Sequence, residues 1–303
     1  MSKIFNAARI FVAGIFLCGM ILIGGRASAA SGMDIFIETL GKTAQSNDRV
    51  FNQDVFFVVP SMFSELDLIG GIENGKIRLA GSFGLWMTDN DGVSTAHEVP
   101  FYVVQTNDAV TIYFEDDKKW KKSTLEVPAD KIYQIFAADT YADFERQVNR
   151  VKEVVVLRES DSQRTLLVKL DGNKIADEFL LPEIKAEMQK EPVASKMFGY
   201  IETGIRNADV WYTWTVNKNT WQTVNVCANL SGLVQSIAQT ALNDPEQPIP
   251  APFIEMLEPF AYYSELKIYT TYLSDEAKSR LELPKNVLKA KEVKSPREDS
   301  KKK

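Results

Sequence analysis

The segment VWYTWTVNKNTWQTVNV, residues 210–226, decides how the fold is interpreted. Aromatic and apolar residues alternate with polar ones over its first half, and this period of two is typical of a strand with one buried face. A turn at residues 217–220 would pair Val216 with Trp221, whereas a three-residue loop would move Trp221 to the other face. Either turn predicts a hairpin with an aromatic face that something must cover. The residues predicted to share that face are Val210, Tyr212, Trp214, Val216 and Trp221.

A second hairpin has a register that the sequence specifies well. A two-residue turn at residues 107–108 places Phe101 opposite Phe114 and Val103 opposite Ile112. These four side chains then share one strongly apolar face, and we expect them to line the interior of the fold.

Other strand patterns surround these hairpins. In a third hairpin, residues 153–170, a turn at residues 161–162 places Leu157 opposite Leu166 and brings Glu159 beside Arg164. Runs rich in β-branched and aromatic residues, bounded by turn residues, predict further strands at 49–59, 76–88, 99–105, 109–114 and 261–273.

Helical spacing of apolar residues predicts helices at 33–45, 128–150, 173–190, 230–242 and around 253–260. Pro182 must break or kink the third of these. The order of elements predicts an α+β fold: a curved antiparallel sheet, a half-barrel of about eight to ten strands, with helices covering its concave face.

The first residues have the organisation of a secretory signal. Basic residues precede an apolar run at residues 10–25, and an A-x-A cleavage pattern follows at residues 27–29. An uncleaved membrane anchor is the alternative, because a spanning helix needs about 17–25 residues. We expect residues 1–29 to be a signal peptide, cleaved near Ala29/Ala30, and the rest of the chain to be periplasmic or secreted.

Composition limits the partners and the domain count. The formal net charge of −6 makes nucleic acid a poor match, so we expect no nucleic-acid partner. Residues 30–284 contain no flexible linker, which predicts one domain, residues 30–293. Residues 294–303 lack apolar side chains and are rich in lysine, which predicts a disordered basic tail.

Few residues suit catalysis or metal binding. His97, the single histidine, lies in the polar stretch STAHEVP, interpreted as a surface turn, so a histidine-dependent triad or zinc site lacks its residues. Cys227 is interpreted as a buried free thiol in a strand. The DNDG run at residues 89–92 lacks the full spacing of a calcium loop and is interpreted as a turn. We expect no enzyme, no cofactor and no metal.

Three segments carry a resemblance to a known family: VPFYVVQTNDAVTIYFEDDKKWKK, VWYTWTVNKNTWQTVNV and LELPKNVLKAKEV. With a strand that ends in Lys119-Trp120-Lys121 and a Leu283-Pro284 pair near the end of the last strand, the chain resembles the LolA/LolB-like half-barrel superfamily of exported lipid and lipoprotein carriers. The resemblance covers residues 30–293. It departs from the family in a helical insertion at residues 175–191 and in lacking an acylated cysteine. It implies an unclosed barrel that holds acyl chains without catalysis.

The leading functional hypothesis combines the signal, the aromatic-rich sheet and the shortage of catalytic motifs. It is an exported, non-enzymatic carrier or sensor that binds a lipid, another amphiphile or a lipoprotein acyl chain in an apolar cavity. The alternative is an envelope protein-interaction or structural module with a filled core. A membrane surface or a cell-envelope protein would be a further partner. The residues expected to line the cavity are Phe101, Val103, Ile112, Phe114, Tyr212, Trp214 and Trp221.

Overall fold

The computed structural model describes residues 32–43, 49–73, 76–88, 91–106, 109–126, 147–179, 192–245 and 251–293. They form an α+β fold in which twelve strands make one mostly antiparallel, open and curved sheet. Its size exceeds the eight to ten strands expected from the sequence. Within these ranges no helix is both long enough and apolar enough to span a bilayer.

The strands, in chain order, are β1 (Arg49–Val59), β2 (Met62–Glu73), β3 (Lys76–Thr88), β4 (Ser94–Gln105), β5 (Ala109–Asp116), β6 (Lys119–Glu126), β7 (Val151–Glu159), β8 (Gln163–Leu170), β9 (Trp211–Asn217), β10 (Thr223–Asn229), β11 (Glu265–Leu273) and β12 (Lys291–Glu292). The α-helices are α1 (Gly32–Thr43), α2 (Gly172–Phe179), α3 (Pro192–Asn207), α4 (Ser231–Leu242) and α5 (Ala251–Tyr263). Two 3₁₀ helices, Asp275–Leu281 and Val287–Lys289, follow β11.

The sheet consists of two meanders joined by one late strand. Across the sheet the order is β12-β6-β5-β4-β3-β2-β1-β11-β10-β9-β8-β7. Strands β1–β6 pair with their chain neighbours, as do β7–β8 and β9–β10, and β8 pairs with β9. Strand β11 pairs with β1 on one side and with β10 on the other. Its pairing therefore makes the two meanders one sheet.

Alternation along the strands gives the sheet an inner and an outer face. The inner face carries the main core, including Val55, Leu66 and Ile268, which lie opposite one another on β1, β2 and β11. The outer face has a smaller apolar cluster, in which Leu281 of the first 3₁₀ helix packs on Val50. Helices α1, α4 and α5 pack on β7, β11 and β1 respectively.

The β4–β5 register is confirmed. Phe101 lies opposite Phe114 and Val103 opposite Ile112, as the two-residue turn requires. The turn residues themselves lie outside the described ranges. Because a short turn fixes pairing strictly, this was the most predictable part of the sheet.

The β7–β8 register is partly wrong. Glu159 does lie opposite Arg164, but the pairing shifts by one residue between Val156 and Arg158, so Val156 rather than Leu157 faces Leu166. Leu157 is the extra residue of a β-bulge and is 53% exposed. The shift turns Val156 to the inner face, where it packs against the main core.

The β9–β10 register is also wrong, although the aromatic face is correct. Val216 pairs with Thr223 rather than with Trp221. The register of the pairing then shifts between Thr223 and Asn225, so that Trp214 faces Val226. Trp221 belongs to the turn and has a φ of 56°, a left-handed conformation that a strand residue does not adopt. It still packs against the main core, on the side of Tyr212 and Trp214.

Some elements differ from expectation in extent. Strand β2, strand β12 and helix α3 were not predicted, and residues 261–263 end α5 rather than begin β11. Lys119-Trp120-Lys121 begins a strand instead of ending one, and Leu283-Pro284 follows a 3₁₀ helix rather than lying near the end of a strand. Most of the helix expected at 128–150, the part of the 173–190 helix that holds Pro182, and the basic tail lie outside the described residues.

Candidate ligand-binding face

The seven residues expected to line a cavity lie in two separate groups on the inner face. Phe101, Val103, Ile112 and Phe114 lie on β4 and β5, and Tyr212, Trp214 and Trp221 lie on or beside β9. Five strands separate β4 from β9, which is roughly 30 Å along the sheet at about 4.8 Å per strand. Alternation predicted the common face, but the two groups have different surroundings.

Helix α1 packs on the β9 group, in which Tyr212 and Trp214 are buried and Trp221 is partly buried. Tyr212 and Trp214 are 1% and 4% exposed. Phe36 of α1 meets Trp214 edge to face, with ring centroids 5.5 Å apart, and the indole Nε1 of Trp214 donates a hydrogen bond to Thr223 Oγ1 at 3.1 Å. Both the apolar ring and its polar atom are therefore satisfied within the protein, as in a filled core.

A buried arginine fastens α1 to this half. Arg164 donates two hydrogen bonds to the carboxylate of Glu159, at 3.1 and 3.0 Å, and a third to Thr39 Oγ1 of α1 at 3.3 Å. Lys218 adds a bond to Glu159 at 2.8 Å. These hydrogen bonds, Arg164 first, lower the pKa of Glu159 from 4.5 to about 2. The charged groups hold the helix, the β7–β8 hairpin and the β9–β10 turn together.

Trp221 takes part in the same attachment. The ammonium group of Lys42, near the end of α1, lies 3.8 Å from the centroid of the Trp221 ring, and Lys42 also bonds Glu38 at 2.6 Å. A cation over an indole face is attracted by the negative ring quadrupole. The position of Trp221, which sequence analysis assigned to a cavity wall, is therefore explained by its contact with α1.

The β4–β5 group is more open. Phe101, Ile112 and Phe114 are only partly buried, whereas Val103 between them is buried. Val110, on the same face of β5, is also partly buried and was missed as a candidate, although the alternation of β5 would have included it. The main sheet contacts of α1, α4 and α5 are with β7, β11 and β1, and the ring of Phe260 on α5 lies 6.0 Å from that of Phe57 on β1. Apolar surface therefore remains accessible at β4–β5.

Polar groups interrupt the inner face at a few points. Gln53 on β1 donates a hydrogen bond to Thr270 on β11 at 3.0 Å, and both side chains are buried. Ser64 Oγ on β2 is buried and has no hydrogen-bond partner within the described residues. Gln53 and Thr270 therefore satisfy each other, and all three polar side chains are buried among apolar neighbours.

The described residues show little catalytic chemistry. His97 lies in strand β4, not in the turn expected from STAHEVP, and is exposed. Cys227 is half-buried on β10, and burial raises the pKa of its thiol. The raised pKa favours the protonated thiol over the thiolate, which is the nucleophilic form. A search of the described residues found no group of three His, Cys, Asp or Glu side chains that could hold a metal.

The comparisons with known proteins found no match: no family model matches the chain, and no curated protein does. The resemblance to half-barrel carriers therefore stays a prediction from the sequence.

The outer face holds a pair of like charges with a testable effect. Asp54 on β1 lies directly opposite Asp67 on β2, and burial, then the charge of Asp67, raises the pKa of Asp54. Ionised Asp54 therefore costs stability above its unfolded pKa, and this cost disappears as the pH falls. We expect Asp54→Asn to raise the free energy of unfolding by about 0.5–1 kcal/mol at pH 7. This difference from the wild type should disappear below pH 3.8.

Urea unfolding of the wild type and of Asp54→Asn across this pH range measures the effect. Asp67→Asn is the matched variant, since it relieves the same repulsion but leaves ionised Asp54 half-buried, and it should therefore give a smaller gain. A loss of stability in both variants at pH 7 would mean that hydrogen bonds to these carboxylates, such as the one Asn52 donates to Asp54 at 3.3 Å, outweigh their repulsion.

Proposed function

We propose that the protein is a non-enzymatic carrier or sensor that binds a lipid or another amphiphile on the inner face of a half-barrel, at β4 and β5. The observation that carries the proposal is that one largely apolar face of the sheet is buried in one half and partly exposed in the other. Tyr212 and Trp214 are buried, and α1 packs on Trp214 through Phe36, whereas Phe101, Ile112 and Phe114 keep accessible surface. Burying such surface against an acyl chain contributes about 25 cal/mol per Å², so the open half supplies the driving force for binding.

The arrangement of the sheet supports this proposal. A curved sheet presents its inner side chains toward one volume, and strands β3 to β6 form one wall of it. The partly buried inner residues Phe83 on β3 and Val110 on β5 extend the apolar wall beyond the four residues named from the sequence. A bound chain of the length of a fatty acid would lie along this wall, with its polar group near an inner-face hydroxyl or amide. Export and release into the periplasm, predicted from residues 1–29, would place the carrier beside its membrane lipids.

The second candidate is an envelope interaction or structural module with a filled core. The sealed β9 half favours it, because Trp214 and Tyr212 already pack as core residues. The two candidates differ in what the β4–β5 residues do: in a filled core they contribute only to stability, and in a carrier they contact a ligand.

Ile112→Gln tests the difference. Ile112 faces inward and is half-buried, so an amide there should oppose an apolar ligand more than it opposes folding. We expect the Kd for a fluorescent fatty acid to rise about 5- to 150-fold, on the basis of about 1–3 kcal/mol for placing an amide against an apolar surface. Titration of delipidated protein purified from its own envelope gives the Kd, and native mass spectrometry with organic extraction identifies the resident lipid.

Val104→Gln is the matched control. Val104 is also β-branched and half-buried, and it lies on the adjacent strand opposite Thr111, on the outer face. We expect its Kd to stay within about twofold of the wild type, with similar losses of stability in both variants. The carrier proposal fails if native protein yields no lipid and takes up no fatty acid.

A further inference from the structure

The chain after β11 is fastened firmly to one edge of the sheet. It crosses the outer face, buries Val287 completely, and then pairs in parallel with β6 through Lys291 and Glu292. The carboxylate of Glu292 accepts a hydrogen bond from the Thr124 backbone at 3.1 Å, and Val293 N donates to Lys122 O at 2.8 Å. This edge is therefore a defined part of the fold.

Strand pairing brings two lysine-rich segments together there. Residues 116–122 contain four lysines and two aspartates, and residues 285–292 contain three lysines and one glutamate. Strand β12 sets Lys291 beside Lys121, and the second 3₁₀ helix, Val287–Lys289, packs on β6. The whole chain carries a formal charge of −6, whereas these two segments carry a net positive charge.

An exposed leucine lies among these lysines. Leu288 is 59% exposed, although its neighbour Val287 is buried. The sheet therefore uses Val287 as its anchor and leaves Leu288 directed to the outside. In sequence Leu288 lies between Lys285 and Lys289, both exposed. A leucine surrounded by lysines suits an anionic lipid surface, because the leucine enters the acyl region while ammonium groups reach the phosphates.

We propose that this edge, residues 116–122 with residues 285–292, docks the protein on a bilayer that contains anionic lipid. An anionic polymer would satisfy the lysines but would offer Leu288 nothing apolar, so the leucine favours a membrane. Strand β6 pairs with β5, and docking would therefore bring the open half of the inner face close to the bilayer. Lys121 lies opposite Phe114, so the edge adjoins that face, but Lys285, Leu288 and Lys289 lie outside the strands, and the proposal does not depend on ligand binding.

Vesicle co-sedimentation of protein purified from its own envelope tests the proposal. The vesicles are phosphatidylcholine alone and phosphatidylcholine with 30% phosphatidylglycerol. We expect binding to the anionic vesicles alone, weakened by added salt. The triple variant Lys285→Gln/Lys289→Gln/Lys291→Gln should bind on the order of 100-fold more weakly, from the usual contribution of each lysine near such a surface. Leu288→Ser should also weaken binding, with lysine charge unchanged.

A control triple variant, Lys76→Gln/Lys152→Gln/Lys174→Gln, removes the same charge from exposed positions elsewhere. Equal losses in the two triple variants would overturn the proposal, since net charge alone would then explain binding. So would equal binding to neutral and anionic vesicles, an unchanged affinity in Leu288→Ser, or complete loss of binding on deleting residues 294–303 alone. Fatty-acid affinity, measured in the same variants without vesicles, should stay unchanged, which separates this result from the test of the proposed function.

Discussion

Replacing Trp214 with alanine should lower the free energy of unfolding by about 3–5 kcal/mol. The substitution empties space between β9 and α1, where the ring is 4% exposed and packs against Phe36. It also leaves the Thr223 hydroxyl without the hydrogen bond that it accepts from the indole. Urea unfolding followed by circular dichroism measures the loss, with an unchanged m value indicating that the folded state stays compact.

Trp86→Ala is the matched control for this substitution. Trp86 lies on the outer face, half-buried, with its ring 5.0 Å from that of Phe63. Less apolar area returns to water when it is removed, so we expect a loss of about 1–2 kcal/mol. If instead Trp214→Ala left stability unchanged and weakened fatty-acid binding, the β9 group would be a cavity wall rather than core.

Replacing Arg164 with alanine should cost about 2–4 kcal/mol at pH 7. Its side chain is 10% exposed, and it supplies hydrogen bonds to both Glu159 and Thr39. Removing it leaves Glu159 with Lys218 and loosens the end of α1 from β8. The expected loss is below the largest values for buried pairs because the Glu159 carboxylate is 37% exposed and can be hydrated.

The pH dependence of this difference has a definite sign. Glu159 has a pKa of about 2 in the folded protein and an ordinary value of 4.5, so its interactions stabilise the fold fully above pH 4.5. That contribution is lost as the pH falls from about 4.5 to about 2. The difference between wild type and Arg164→Ala, measured by unfolding at several pH values, should therefore shrink over this interval.

Arg206→Ala is the control for Arg164→Ala. Arg206 pairs with Asp177 at 2.8 Å and with Glu202 at 3.0 Å, but its side chain is 32% exposed. Exposed ion pairs contribute about 0–1 kcal/mol, so we expect a loss in that range. A loss as large as that of Arg164→Ala would show that burial of Arg164 has no special importance.

The sequence predicted strand pairing where a turn leaves little choice and failed where the backbone departs from regular geometry. The two-residue turn at residues 107–108 fixed the β4–β5 pairing. Nothing in the run of apolar residues before Arg158 reveals that Leu157 would be a bulge, and nothing marks Trp221 for a left-handed conformation. Strand β2 was missed because Glu65, Asp67 and two glycines weaken its pattern.

Gly70, one of those glycines, is required by a tertiary contact. A Cβ at Gly70 would overlap the ring of Phe51 on the adjacent strand, so only glycine lets that ring lie on the sheet. Tertiary contacts also explain why the candidate residues fall into a β4–β5 group and a β9 group. Alternation placed Tyr212 and Ile112 on the same face, but the choice of which half α1 covers depends on contacts such as Arg164 with Thr39, which join residues 125 positions apart.

Strand β11 also constrains the order in which the protein can mature. It comes after both meanders in the chain, yet it supplies the partner for β1 and for β10, as in the hydrogen bond between Gln53 and Thr270, 217 residues apart. Before β11 pairs with them, β1 and β10 are edge strands whose free edges can pair with another chain. During its synthesis the chain therefore holds two unfinished sheets until residues 265–273 are complete. A chain shortened before β11 should therefore aggregate rather than fold into halves.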